Sequence, residues 1–134
     1  MIELIDPIII SNKVDISTGL NVHYLEASKN NNNQPIALLL HGFPELSFSW
    51  RKIIPFLAAE GFRVIAPDMR GYGQTSGGGK EFHADISEYR LLNLSTDIIS
   101  LMSSLNLDKI DLLVGHDAGS VSYTHLTLPT IYSV

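Results

Sequence analysis

Cysteine is absent from the 134 residues, which excludes disulfides, thiolate zinc sites and a cysteine nucleophile together. Long hydrophobic runs are absent too; none approaches the roughly 20 residues needed to cross a bilayer. The opening Met1-Ile2-Glu3-Leu4-Ile5-Asp6-Pro7 lacks the basic segment and apolar stretch of a secretion signal. Basic residues are few and scattered: nine Lys and Arg against 14 Asp and Glu leave a net charge of -5. A phosphate backbone needs a basic face, so nucleic acid is not an expected partner. The five histidines, His23, His41, His83, His116 and His125, fall in no metal-ligand spacing, and no metal is expected. With 45% hydrophobic and 17% charged residues, the composition is that of a globular domain, and a cytoplasmic location with no membrane partner is the default expectation.

The hydrophobic pattern supplies the architecture. Ile8 to Ile16 and Leu20 to Leu25, broken by Ser17-Thr18-Gly19, predict an antiparallel hairpin. Polar Lys29 to Gln34 predicts a surface loop. Ile36-Ala37-Leu38-Leu39-Leu40 is apolar throughout, as in a strand covered on both faces. A helical spacing begins near Ser49 with Trp50, Ile53, Ile54, Phe56, Leu57 and Ala58, and Gly61 closes it. Phe62 to Ala66 is a second buried strand, residues 69 to 88 form a Gly-rich loop, and Leu91 to Leu105 repeat at helical spacing up to Asn106. Ile110 to Val114 is a third buried strand. The alternation means an α/β fold with a mostly parallel sheet, an antiparallel N-terminal hairpin and flanking helices.

Two motifs directly follow buried strands, where ligands bind in open α/β sheets. Gly115-His116-Asp117-Ala118-Gly119 has the form of a nucleophile elbow, in which a strand-to-helix turn presents the central side chain. Its flanking glycines allow strand and helix backbones to approach. Aspartate in the centre alters the chemistry. A carboxylate is ionised at neutral pH without a base, and it can displace a leaving group from saturated carbon to give an alkyl-enzyme ester. In His41-Gly42-Phe43-Pro44, the backbone N–H groups of Phe43 and Ala118 would together form an oxyanion hole for hydrolysis of that ester.

HGFPE, SWR (Ser49 to Arg51), APDMRGYGQTS (Ala66 to Ser76) and GHDAG, in this order and spacing, resemble α/β-hydrolases of the epoxide hydrolase and haloalkane dehalogenase group. The resemblance runs from about Asp15 to Gly119 and implies an N-terminal half of that fold. It implies Asp117 as nucleophile, Phe43 and Ala118 as oxyanion-hole amides, a small apolar electrophile as substrate, and neither metal nor organic cofactor. Phe43 and Ala118 offer no side-chain donor for a departing halide, which leans toward an epoxide; the alternative is a dehalogenase using the same aspartate. Ala118 departs from the tryptophan common after the nucleophile in both. His41 reads as structural, His116 as pointing away from the site, Trp50 as packed, and Asp68 and Arg70 as pairing or binding backbone within their loop.

The resemblance also implies a histidine base, its orienting acid and a helical cap carrying tyrosines, none of which has a counterpart here. His125 lies eight residues past Asp117, about 12 Å along a helix, too far to act on it. Residues 120–134, rich in threonine and broken by Pro129, resemble nothing in the family. The expected organisation is a partial hydrolase domain over 1–119 followed by an atypical tail, foreign or read through. An inactive fragment is the expected state of this chain. The strand ending at Val114 is then expected to be an exposed apolar edge. Oligomeric state is not encoded in any pattern found.

Overall fold

The computed structural model describes residues 6–29, 34–41, 46–69, 73–77, 87–115 and 131–133. Its strands are β1 (Ile10–Asp15), β2 (Leu20–Ala27), β3 (Ile36–Leu40), β4 (Arg63–Pro67), β5 (Ser76–Gly77), β6 (Leu112–Gly115) and β7 (Ile131–Ser133). The helices are α1 (Ile53–Ala59), preceded by a 3-10 turn over Ser47–Trp50, and α2 (Ser87–Ser104).

The hairpin forms as the pattern requires. β1 and β2 pair antiparallel from Ile10 opposite Glu26 to Asp15 opposite Asn21. Gly19 turns the chain at φ 94°, a left-handed conformation that glycine adopts without a Cβ penalty. The turn also clamps α2. Ser17 N–H donates to Ser100 Oγ at 2.8 Å, and Thr18 Oγ1 donates to Asp97 Oδ1 at 2.9 Å.

β2 then pairs antiparallel with β4, while β4, β3, β6 and β7 run parallel, in the order β1-β2-β4-β3-β6-β7. The chain is therefore an α/β-hydrolase-type mixed sheet, mostly parallel beyond its N-terminal hairpin. The step from β3 to β4 and the step from β4 back across β3 to β6 go in opposite directions. Right-handed crossovers then put α1 and α2 on opposite faces, and the core divides accordingly. Ile36, Leu38 and Leu40 of β3 join Ile98 and Ile110 on the α2 face; Ala37 and Leu39 join Trp50, Ile54 and Ala58 on the α1 face. The unbroken apolar run of β3 serves both layers by simple period-two alternation.

The helix foreseen from Ser49 is split. Pro55 has no N–H, and in a continuous helix its ring would meet the carbonyl of Arg51, so the α-helix starts only at Ile53. Trp50, Ile54 and Ala58, four apart, are buried, whereas Ile53 and Phe56 are exposed. Gly61, at φ 103°, ends this segment: its N–H reaches Ala58 O, and Phe62 N–H reaches Leu57 O. Asn106, at φ 59°, ends α2 in the same way, with Leu107 N–H on Met102 O. On α2 the buried stripe passes through Ile98 and Leu101, with Met102 and Leu105 partly buried against it; Ile99 lies outside the stripe and is exposed.

Two expectations need correction. The loop foreseen over 69–88 contains β5, which pairs antiparallel with the start of β2; two residues are too few for a periodic signal. The edge of β6 is also covered. β7 pairs parallel with it, Leu113 opposite Ile131 and Gly115 opposite Ser133, because unpaired strand N–H and C=O groups bind an extended β-branched or aromatic segment where one is available. No helix among the described residues is long and apolar enough to cross a membrane.

Candidate functional site

Parallel strands bring their C-terminal ends to one edge of the sheet. Leu40, at the end of β3, stands opposite Gly115, at the end of β6. The HGFP segment continues from the first and the GHDAG segment from the second. Asp117, Phe43 and Ala118 themselves lie outside the described residues, as do His116, Arg70 and His125.

His41, the first residue past β3, is fully enclosed, with 1% of its surface exposed. Its Nε2 accepts the N–H of Met69 at 2.9 Å, which joins the end of β3 to the segment following β4. An Nε2 that accepts must be unprotonated, so the ring proton of this neutral histidine sits on Nδ1. That agrees with the structural role read from the sequence.

Beside it, Asp68 is the polar centre of this edge. Its Oδ1 accepts Ser47 N–H at 2.8 Å; its Oδ2 accepts Gln74 N–H at 3.0 Å and faces His23 Nδ1 at 2.7 Å. Its carbonyl accepts Thr75 Oγ1–H at 2.7 Å, and Thr75 Oγ1 in turn accepts His23 N–H at 3.0 Å. Burial by itself would raise the Asp68 pKa. The hydrogen bonds from Gln74, Ser47 and His23 outweigh it and hold the carboxyl below its ordinary value. Gly73 completes the arrangement at φ 55°, with its Cα so close to the Asp68 carboxyl that a Cβ would overlap it. Ser47, Gly73, Gln74 and Thr75 therefore surround a buried carboxylate, and Asp68 does bind backbone, as expected.

Sequence reasoning passed over His23 and Ser47 as partners of Asp68, since they lie 45 and 21 residues away from it. The one available signal was His23 itself, a polar residue inside the apolar run of β2. A groove of about 790 Å³ opens at the other edge, by the strand starts, lined by Glu26, Arg63, Lys109 and Asp111 among others. Four of its charges form two pairs, Arg63 with Glu26 at 2.6 Å and Lys109 with Asp111 at 3.5 Å. That is the wrong end of a parallel sheet for the chemistry suggested by the elbow.

A mixed sheet with helices on both faces, and glycine-flanked motifs continuing from adjacent parallel strand ends, define a hydrolase scaffold. The profile of the alpha/beta hydrolase fold family matches residues 35–128, and the chain belongs to that family. Similar proteins include several epoxide hydrolases. The chain is 40% identical over 107 residues to an epoxide hydrolase of Caballeronia sordidicola, covering 79% of this chain and 30% of that protein. It is 39% identical over 113 residues to the bifunctional epoxide hydrolase 2 of Sus scrofa, covering 84% of this chain and 19% of that protein. The crystal structure of the Vigna radiata epoxide hydrolase VrEH1 superposes with a TM-score of 0.74 at 38% identity, covering 90% of this chain and 36% of that one. The chain thus spans less than a third of the length of these two curated relatives and is an epoxide hydrolase-like α/β-hydrolase sequence.

Proposed function

We propose that Asp117 is the nucleophile of an epoxide-opening hydrolase. The observation that carries this reading is the pairing of Leu40 with Gly115, the strand ends that the HGFP and GHDAG motifs follow in the sequence. The Asp117 carboxylate attacks an epoxide carbon, and the C–O bond breaks with its electron pair going to the ring oxygen. That oxygen takes a proton from water, and a hydroxyalkyl ester forms on the enzyme. Attack of water on the ester carbonyl then builds negative charge on its oxygen, which the N–H groups of Phe43 and Ala118 receive, and release gives a diol. Small apolar epoxides are the substrate class, supported by the epoxide hydrolase names of the relatives.

The second half-reaction requires a base to activate water. No histidine of this sequence matches the base that the family resemblance implies, so the chain by itself should form the ester and hydrolyse it slowly. Incubation with a small reactive epoxide followed by intact-mass measurement tests both steps. One persistent adduct that is lost in Asp117→Asn supports the reading. An adduct that survives Asp117→Asn refutes it; no adduct on the folded chain would mean that the elbow does not work in this chain alone.

A further inference from the structure

A second line of chemistry-bearing side chains crosses the N-terminal hairpin. Ser11 of β1 stands opposite Leu25, one diagonal step from His23 of β2, so both side chains project from the same face of the sheet. Ser11 Oγ lies 2.6 Å from His23 Nε2, and His23 Nδ1 lies 2.7 Å from Asp68 Oδ2. Asp68 already accepts two backbone N–H groups, so its carboxylate acts as an acceptor and Nδ1 must carry the proton between them. In the neutral ring that leaves Nε2 with a lone pair aimed at the Ser11 hydroxyl. The polarity, hydroxyl to imidazole to carboxylate, is that of a Ser-His-Asp nucleophile system, recognised by geometry rather than by fold. His23 and Asp68 are buried, with 5% and 3% of their surfaces exposed, while Ser11 is exposed. The serine opens on a cleft of about 190 Å³ whose apolar lining comes from Leu25, Leu46 and Phe48.

We propose that Ser11 is a second nucleophile, separate from Asp117, with His23 as its base and Asp68 as the residue that orients the base, taking the acyl group of small apolar esters. Ser11 Oγ bonds to the ester carbonyl carbon and its proton passes to His23 Nε2. The bond from that carbon to the alcohol oxygen then breaks, and the alcohol leaves with the proton. Water repeats the sequence, releasing the acid and restoring Ser11. The size of the cleft limits the acyl chain to a few carbons.

The test uses the full chain and a short-chain alkyl fluorophosphonate, which forms a serine–phosphorus bond as fluoride departs. Peptide mapping should find one adduct, on Ser11, absent in Ser11→Ala. A second reading does not depend on how well the carbonyl oxygen is held. In Ser11→Cys, iodoacetamide should alkylate the introduced thiol at pH 6.5 at least about tenfold faster than an ordinary thiol, since proximity to an imidazole favours the thiolate. Adding His23→Gln should abolish that advantage. Label on another residue, no label on folded protein, or an alkylation profile centred on the ordinary thiol range of about 8.5 would overturn the proposal.

Discussion

At the scale of single residues, Asp68 and Gly73 act as one unit. The folded chain holds the Asp68 carboxyl below its ordinary value of 3.8, so near that pH the folded state binds fewer protons than the unfolded chain. The resulting stabilisation is complete above the unfolded pKa and is lost as the pH falls through the lower folded one. Urea midpoints measured from about pH 6 to pH 2.5 should therefore fall below about pH 4, with a shallower fall in Asp68→Asn. Near neutral pH, Asp68→Asn should cost about 2–4 kcal/mol, because an amide cannot accept from every donor now facing the carboxylate. Gly73→Ala should cost more than Gly19→Ala. Both positions have positive φ, but an added Cβ meets nothing within 4 Å at Gly19 and overlaps Asp68 at Gly73. About 1 kcal/mol is expected for the first and about 3 kcal/mol for the second, read from thermal or urea unfolding.

Among elements, the helices show how periodicity becomes burial only once a partner surface exists. Ile54 on α1 is fully buried against the sheet, and Phe56, two residues on, is 65% exposed. Ile54→Ala should destabilise by about 2–5 kcal/mol, whereas Phe56→Ala should stay within about 0.5 kcal/mol, both from denaturant unfolding. Both residues are large and apolar in the sequence; the sheet decides which one is core. The helix ends, by contrast, were readable beforehand. Gly61 and Asn106 are residue types that tolerate the left-handed cap, and both occupy it.

For the whole molecule, β7 determines whether the sheet ends in an open apolar edge. Its residues belong to the tail that the family resemblance does not reach, although the family profile matches as far as residue 128. Val114 pairs with Tyr132. Replacing Tyr132 with proline removes an N–H and constrains φ in the middle of that short strand, which should uncover β6. Tyr132→Pro is expected to self-associate at concentrations where the parent chain does not, as seen by light scattering. Equal scattering from the two would show that β7 does not protect the edge.

Patterns within short stretches of sequence determined strands β1 to β4 and β6, the C-terminal ends of the helices, the parallel core and the two motifs. Each depends on the spacing of neighbouring residues: an unbroken apolar run for β3, glycines on either side of Asp117, and Gly42 and Pro44 around Phe43. The tertiary structure decided what no local spacing encodes. It joined His23, Ser47 and Gln74 around Asp68, aligned Ser11 with His23 across the hairpin, and laid β7 against β6. The physical reason is range. Propensity and turn chemistry act over a few residues, whereas a buried polar group needs its partners wherever the fold can bring them, and a strand edge pairs with whatever backbone reaches it.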